Sequence, residues 1–181
     1  MEGVLCIYHR KGASIRSRTR KGTNVRHRLE NKRFYFILHL PMQTLLSARL
    51  QDAMDLAAVV HGQQKRKGGN TPYISHPMAV LALLASWGAS EDVMIAGLLH
   101  DAIEDSPTPV AKARVRDSIE RIAGVHVLSM IDDVTEKDKE IPWKERKQQY
   151  LKHLEDAPRE SVLVSCADKT HNTFSLFAGA A

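Results

Sequence analysis

A chain of 181 residues, 43% hydrophobic, 26% charged and 6% aromatic, holds enough apolar residues for one compact core and too many for a disordered chain. No run approaches the roughly 18 consecutive apolar residues of a membrane helix, and Cys6 and Cys166, the two cysteines, supply neither a disulfide framework nor a cysteine-rich zinc motif. The formal charge of +5 is unevenly spread: residues 1–41 carry ten Lys/Arg and two acidic residues, residues 42–181 sixteen and nineteen.

Residues 1–41 form a basic arm, in which Gly, Ser and Thr separate the charges and no apolar pattern appears before Phe34–Leu38. The composition predicts a flexible extension. A nucleic-acid-binding arm is the weaker reading, because the segment has no base-stacking pattern. An Arg-rich, acid-poor presequence also fits. Residues 42–181 read as the folded domain. Leu45, Leu46, Ala48, Leu50, Ala53, Met54, Leu56, Ala57 and Val60 recur at helical spacing and predict a helix from about Met42 to Gly62. Gly68–Pro72 is a loop by its turn residues. A second helix is predicted over Met78–Trp87, stopped by Gly88. Ser90 caps a third, with Glu91 and Asp92 in its first turn and Met94, Ile95, Leu98 and Leu99 facing inward. Pro107 and Pro109 open a fourth that ends at Gly124. Val125–Val134, Trp143–Leu154 and Glu160–Leu176 complete a set of six to eight helices without strand alternation, an all-α helical bundle.

The chemistry-bearing residues are His76, the pair His100-Asp101, and Asp168. Each sits beside apolar residues, where an unpaired carboxylate is costly, and imidazole with carboxylate suits a divalent transition metal such as Mn²⁺, Fe²⁺ or Zn²⁺. Any one of them alone reads as a hydrogen-bonded core contact. Their joint occurrence favours metal. The pair His100-Asp101 is placed at the inner end of a buried helix, and Glu104-Asp105 follows one helical turn later on the same face. Those acids either meet solvent at a helix end or handle protons for a metal-activated water, and the second reading is preferred. Lys65-Arg66-Lys67 is either a solvated charge run or a phosphate-binding group.

Three blocks carry a resemblance. His61-Gly62-Gln63-Gln64-Lys65-Arg66 leads into Thr71-Pro72-Tyr73-Ile74-Ser75-His76-Pro77; Gly97-Leu98-Leu99-His100-Asp101-Ala102-Ile103-Glu104-Asp105 follows, and then Ala167-Asp168-Lys169-Thr170-His171-Asn172. In order and spacing they resemble the HD-domain metal-dependent phosphohydrolases, in particular the hydrolase domain of RelA/SpoT-type alarmone enzymes and their small single-domain relatives. The resemblance spans roughly Ala48–Leu176. It implies an HD-domain helical bundle holding Mn²⁺, or another divalent transition metal, through His76, His100, Asp101 and Asp168. It further implies Glu104 and Asp105 at the attacking water, and Lys65, Arg66, Lys67 and Asn172 at the substrate. His61 matches a family position that reads equally as structural or functional, and His171 is read as packing or backing a ligand. The implied reaction removes the 3′-pyrophosphate of guanosine tetra- or pentaphosphate.

Two departures follow from the same resemblance. The chain reads Thr173-Phe174-Ser175-Leu176-Phe177 where the family continues into an Arg-containing helix, which predicts a C-terminal truncation. At this length it is also expected to lack the synthetase and regulatory domains of the long enzymes. Three functions therefore stand: a cytoplasmic (p)ppGpp pyrophosphohydrolase, an HD phosphohydrolase acting on another nucleotide or phosphoester, and a catalytically weak or inactive HD module whose basic arm binds nucleic acid. No membrane partner is expected.

Overall fold

The computed structural model describes residues 17–18, 24–25, 46–67, 69–136 and 140–178. The chain divides into two units, Met1–Leu46 and Ser47–Ala181. In the first, β1 (Ser17–Arg18) and β2 (Asn24–Val25) pair antiparallel, Ser17 opposite Val25 and Arg18 opposite Asn24. The sequence pattern predicts no strand here, because two residues are too few for alternation to register. The other expectations for the basic arm, its flexibility, nucleic-acid binding and presequence character, fall on residues outside those described.

The second unit is helical, with seven α-helices among the described residues: α1 (Ala48–His61), α2 (Ser75–Ser86), α3 (Glu91–Leu99), α4 (Pro109–Ala123), α5 (Val125–Val134), α6 (Trp143–Glu155) and α7 (Arg159–Ala178). Side-chain caps set three of the starts. Ser47, Ser90 and Thr108 accept from the amides of Leu50, Val93 and Ala111 at 3.0, 3.4 and 3.1 Å. The Ser47 cap corrects the expected start of α1: Leu46 lies outside the helix and is exposed, and residues 42–45 fall outside those described. Helix α2 begins earlier than expected and takes in His76 and Pro77, because a proline in the first turn forfeits no intrahelical hydrogen bond.

Helix α3 is the axis of the unit, and α1, α2, α5 and α7 pack around it. Val93 and all of Ile95 to Leu99 are buried, so beyond its acidic first turn this short helix is apolar on every side, as a central helix must be. Gly97 permits a close approach of α3 to α2. A Cβ there would lie 2.3 Å from Leu84 Cδ1 and 3.1 Å from Val80 Cγ1, both on α2. Leu84, Ile95, Leu98, Leu99, Ile119, Met130 and Ile131 form the heart of the core.

Polar clamps hold the outer elements. The Arg49 guanidinium on α1 donates to Asp92 at 2.7 Å and to the Ala123 carbonyl at 3.0 Å, joining α1 to the start of α3 and the end of α4. Arg116 on α4 grips Asp132 on α5 through two hydrogen bonds of 2.5 and 2.8 Å. Between α4 and α5, Gly124 turns the chain at φ 87°, a left-handed conformation that glycine adopts readily. Helix α6 is attached differently: its buried residue is Tyr150, and Arg146 and Lys147 bind Glu136. Among the described residues no helix is long and apolar enough to cross a membrane.

Candidate metal centre

Helices α2, α3 and α7 bring the three sequence blocks to one place. His76 is the second residue of α2, His100 and Asp101 follow the last residue of α3, and Asp168 lies within α7. One donor atom each from His76, His100 and Asp168 lies within 4.8 Å of the others. Asp168 Oδ1 is 3.2 Å from His76 Nε2 and 3.7 Å from His100 Nε2. Asp101 faces the same two nitrogens, its Oδ2 lying 3.0 Å from His100 Nε2 and 3.5 Å from His76 Nε2. Both imidazoles are buried, and Asp101 and Asp168 are mostly so.

Helix α3 stops sooner than its sequence predicts. His100 keeps helical dihedrals as the C-cap, but residues 100–105 form a succession of turns instead of a helical face. Mixed bonding is the reason. The Ala102 amide donates back three residues to Leu99, and the Asp105 amide donates back four to Asp101. Glu104 and Asp105 are thus carried on a turn, half-buried, and not on a continuing helix.

The donor set fits a divalent cation. His100 Nδ1 lies 2.8 Å from the Gly97 carbonyl, which accepts only if Nδ1 carries the proton, and this leaves a lone pair on Nε2. That Nε2 is buried with no hydrogen-bond partner, although carboxylate oxygen is only 3.0 Å away. Nitrogen and oxygen are close without being aligned as donor and acceptor, as two groups are when both face a third. Burial opposes a charged His100, yet Asp101 and Asp168 outweigh it and push the imidazole up to about 10. The same pairing, against burial, holds Asp101 and Asp168 well below the usual carboxylate range. A field that favours a proton so strongly favours a cation at the same point.

Each of the four has a further contact that orients it. The Tyr73 hydroxyl donates to Asp101 Oδ2 at 2.5 Å; burial and then the Asp101 charge push its pKa far up, so it stays a donor. His171 Nδ1 lies 2.8 Å from His76 Nδ1. Asn172 and Lys169 donate to the two oxygens of Asp168 at 2.5 and 2.6 Å. Burial, His76 and Arg66 all depress His171, which favours its neutral form. Sequence reasoning gave Tyr73 and Lys169 no role. The signal available for Tyr73 was its place three residues before His76, since a buried phenol needs an acceptor.

Of the basic run, Arg66 reaches the centre. Its guanidinium donates to Asn172 Oδ1 at 3.0 Å and Ser175 Oγ at 3.4 Å, and sits 5.8 Å from the Tyr73 ring centroid. Lys65 instead donates to Asn70 at 3.2 Å, and Lys67 is exposed. His61 is fully buried against Tyr73, with Nδ1 2.6 Å from Gln64 Oε1 and 3.9 Å from Asp105 Oδ2. Gln64 also donates to the Asp105 carbonyl at 3.5 Å, so the first block braces the acidic turn.

Residues 53–179 match the HD domain family. The guanosine-3′,5′-bis(diphosphate) 3′-pyrophosphohydrolase MESH1 of Mus musculus is 36% identical over 129 residues, which is 70% of this chain and 68% of that protein. The MESH1 of Homo sapiens gives the same identity and coverage. The bifunctional (p)ppGpp synthase/hydrolase SpoT of Escherichia coli (strain K12) is 32% identical over 134 residues, 71% of this chain and 18% of that much longer one. A solved structure of a metazoan ortholog of SpoT that hydrolyzes ppGpp superposes with a TM-score of 0.64 at 29% identity, covering 74% of this chain and 72% of the other.

Proposed function

The chain belongs to the HD domain family, and from that premise we propose that it is a metal-dependent phosphohydrolase that removes the 3′-pyrophosphate of (p)ppGpp. The observation that carries the reading is the convergence of His76, His100, Asp101 and Asp168, with the lone-pair side of His100 buried and unpartnered. Relatives named for this reaction support the substrate. On this reading the four residues hold one divalent cation, Mn²⁺ by preference. When bound it supplies Lewis acidity at a phosphoryl oxygen and lowers the pKa of the attacking water.

The chain's own residues supply the rest. Glu104 and Asp105 take the proton of the attacking water from their turn. Water adds to the phosphorus attached to the ribose 3′ oxygen, the P–O bond to that oxygen breaks, and GDP or GTP leaves with a proton while pyrophosphate is released. Arg66, held by Asn172 and Ser175, offers a guanidinium to the phosphates. Lys65 and Lys67 contribute longer-range positive charge from the exposed loop. Asn172 ties the Arg66 guanidinium to Asp168, so that substrate charge and ligand position are coupled. The cytoplasm, with its thiol-reducing conditions and its nucleotide pool, is the proposed setting, and the exposed free Cys166 is compatible with it.

The deciding experiment incubates purified protein and Mn²⁺ with ppGpp and separates the products. GDP and pyrophosphate in equal amounts, abolished by EDTA and restored by Mn²⁺, are the expected result. A folded, metal-loaded sample that leaves ppGpp intact but cleaves another nucleotide would reassign the substrate.

A further inference from the structure

His171 is not among the residues proposed above to bind the cation or the substrate, yet its ring meets one of the four proposed ligands at hydrogen-bond distance. His171 Nδ1 and His76 Nδ1 face each other at 2.8 Å, with ring centroids 5.0 Å apart. Two imidazole nitrogens at that distance need one proton between them, so one ring donates and the other accepts. The other edge of His76 decides which. Its Nε2 looks toward Asp168 Oδ1 at 3.2 Å and Asp101 Oδ2 at 3.5 Å, the point where the cation would sit. A ring that gives Nε2 to a cation must carry its proton on Nδ1.

We infer that His171 is a positioning residue: it accepts the Nδ1–H of His76 and thereby fixes His76 in the tautomer whose Nε2 lone pair faces the cation. The inference rests on the metal centre proposed above. The acceptor must then be the neutral Nε2–H tautomer of His171, an unusual backing for a metal-binding histidine, which more often leans on a carboxylate or a backbone carbonyl. His100 shows that commoner arrangement in the same site, through the Gly97 carbonyl. The fold supplies the geometry. His171 lies three residues after Asp168 on α7, so one helical turn presents both a carboxylate to the cation and an imidazole to the back of His76. Its backbone carbonyl takes the Ser175 hydroxyl at 2.9 Å, and Ser175 also receives Arg66, which ties this turn to the loop that precedes α2.

Two measurements on the full chain test the assignment. In the Zn²⁺-loaded wild type at pH 8, ¹⁵N spectra should show His171 as the Nε2–H tautomer, with a scalar coupling across the hydrogen bond between the two Nδ1 atoms. A protonated His171 Nδ1 would overturn the inference without any variant having to fold. In Mn²⁺ titrations, His171→Ala should bind at least about tenfold more weakly, while His171→Asn, whose side-chain oxygen falls near the lost Nδ1, should bind within about threefold of wild type. Equal affinity of wild type and His171→Ala would refute this inference alone. A wild type that binds neither cation would refute the metal centre and this inference together.

Discussion

The packing of α2 against α3 should be as decisive for the centre as the ligands themselves, and Gly97→Ala tests it. The new methyl would sit 2.3 Å from Leu84 Cδ1 and 3.1 Å from Val80 Cγ1, against an ordinary contact of 3.4–4 Å. Relief requires more than an ångström of movement. Leu84 and Val80 are fully buried, so the flexible end of the leucine has no open space to enter, and Val80 is stiff at χ1 within a helix. Overpacking of this kind costs about 1–3 kcal/mol, and a value near 2 kcal/mol is expected from urea unfolding at pH 7. Leu84→Ala alone should cost about 2–5 kcal/mol through the cavity it leaves. The double variant should then be less destabilised than the sum by about 1–2 kcal/mol, because the added methyl moves into that cavity. Because α2 carries His76 and α3 positions His100, the single Gly97→Ala variant should also bind Mn²⁺ more weakly than wild type. Additive single and double variants, or a Gly97→Ala protein within about 0.5 kcal/mol of wild type, would show that α2 and α3 have room for the methyl.

Asp168→Ala and Asp101→Ala should each lose Mn²⁺ and turnover together, whereas Glu104→Ala should keep the metal and lose turnover, as elemental analysis beside a product assay will show. Tyr73→Phe removes the donor to Asp101 at 2.5 Å and should weaken Mn²⁺ binding by about tenfold with the helical circular dichroism retained. For Glu136, burial opposes ionisation, but Lys147 and Arg146 outweigh it and lower its pKa below the ordinary carboxylate value of 4.5. Its contribution is therefore complete above the unfolded value and disappears as pH falls through the lower folded one. Glu136→Gln should accordingly cost roughly 1 kcal/mol at pH 7 and nothing at a pH below the folded value, as read from denaturant midpoints across the acid range.

What the sequence determined by itself was local. Helical spacing, the Ser90 cap, and Pro109 with Gly124 at the two ends of α4 are properties of consecutive residues, and the elements they define are those observed. The three blocks were legible for the same reason: a rare cluster of His and carboxylate beside apolar residues is visible without knowing what it packs against. Element edges that depend on a competing contact were not legible. The Ser47 hydroxyl ends the apolar stripe of α1 short of Leu46, and the mixed hydrogen bonding after Leu99 turns the expected helical face of Glu104-Asp105 into a turn.

Tertiary structure alone decided which nitrogen of each histidine faces inward. Nothing in the order of residues states that His76 is backed by His171, 95 positions away, or that Tyr73 donates to Asp101. It likewise separated Arg66, drawn in by Asn172, from its neighbours Lys65 and Lys67, which the sequence presented as equals. The physical reason is that a side-chain hydrogen bond is set within a few tenths of an ångström by the packing of whole helices, here by how closely Gly97 lets α3 approach α2.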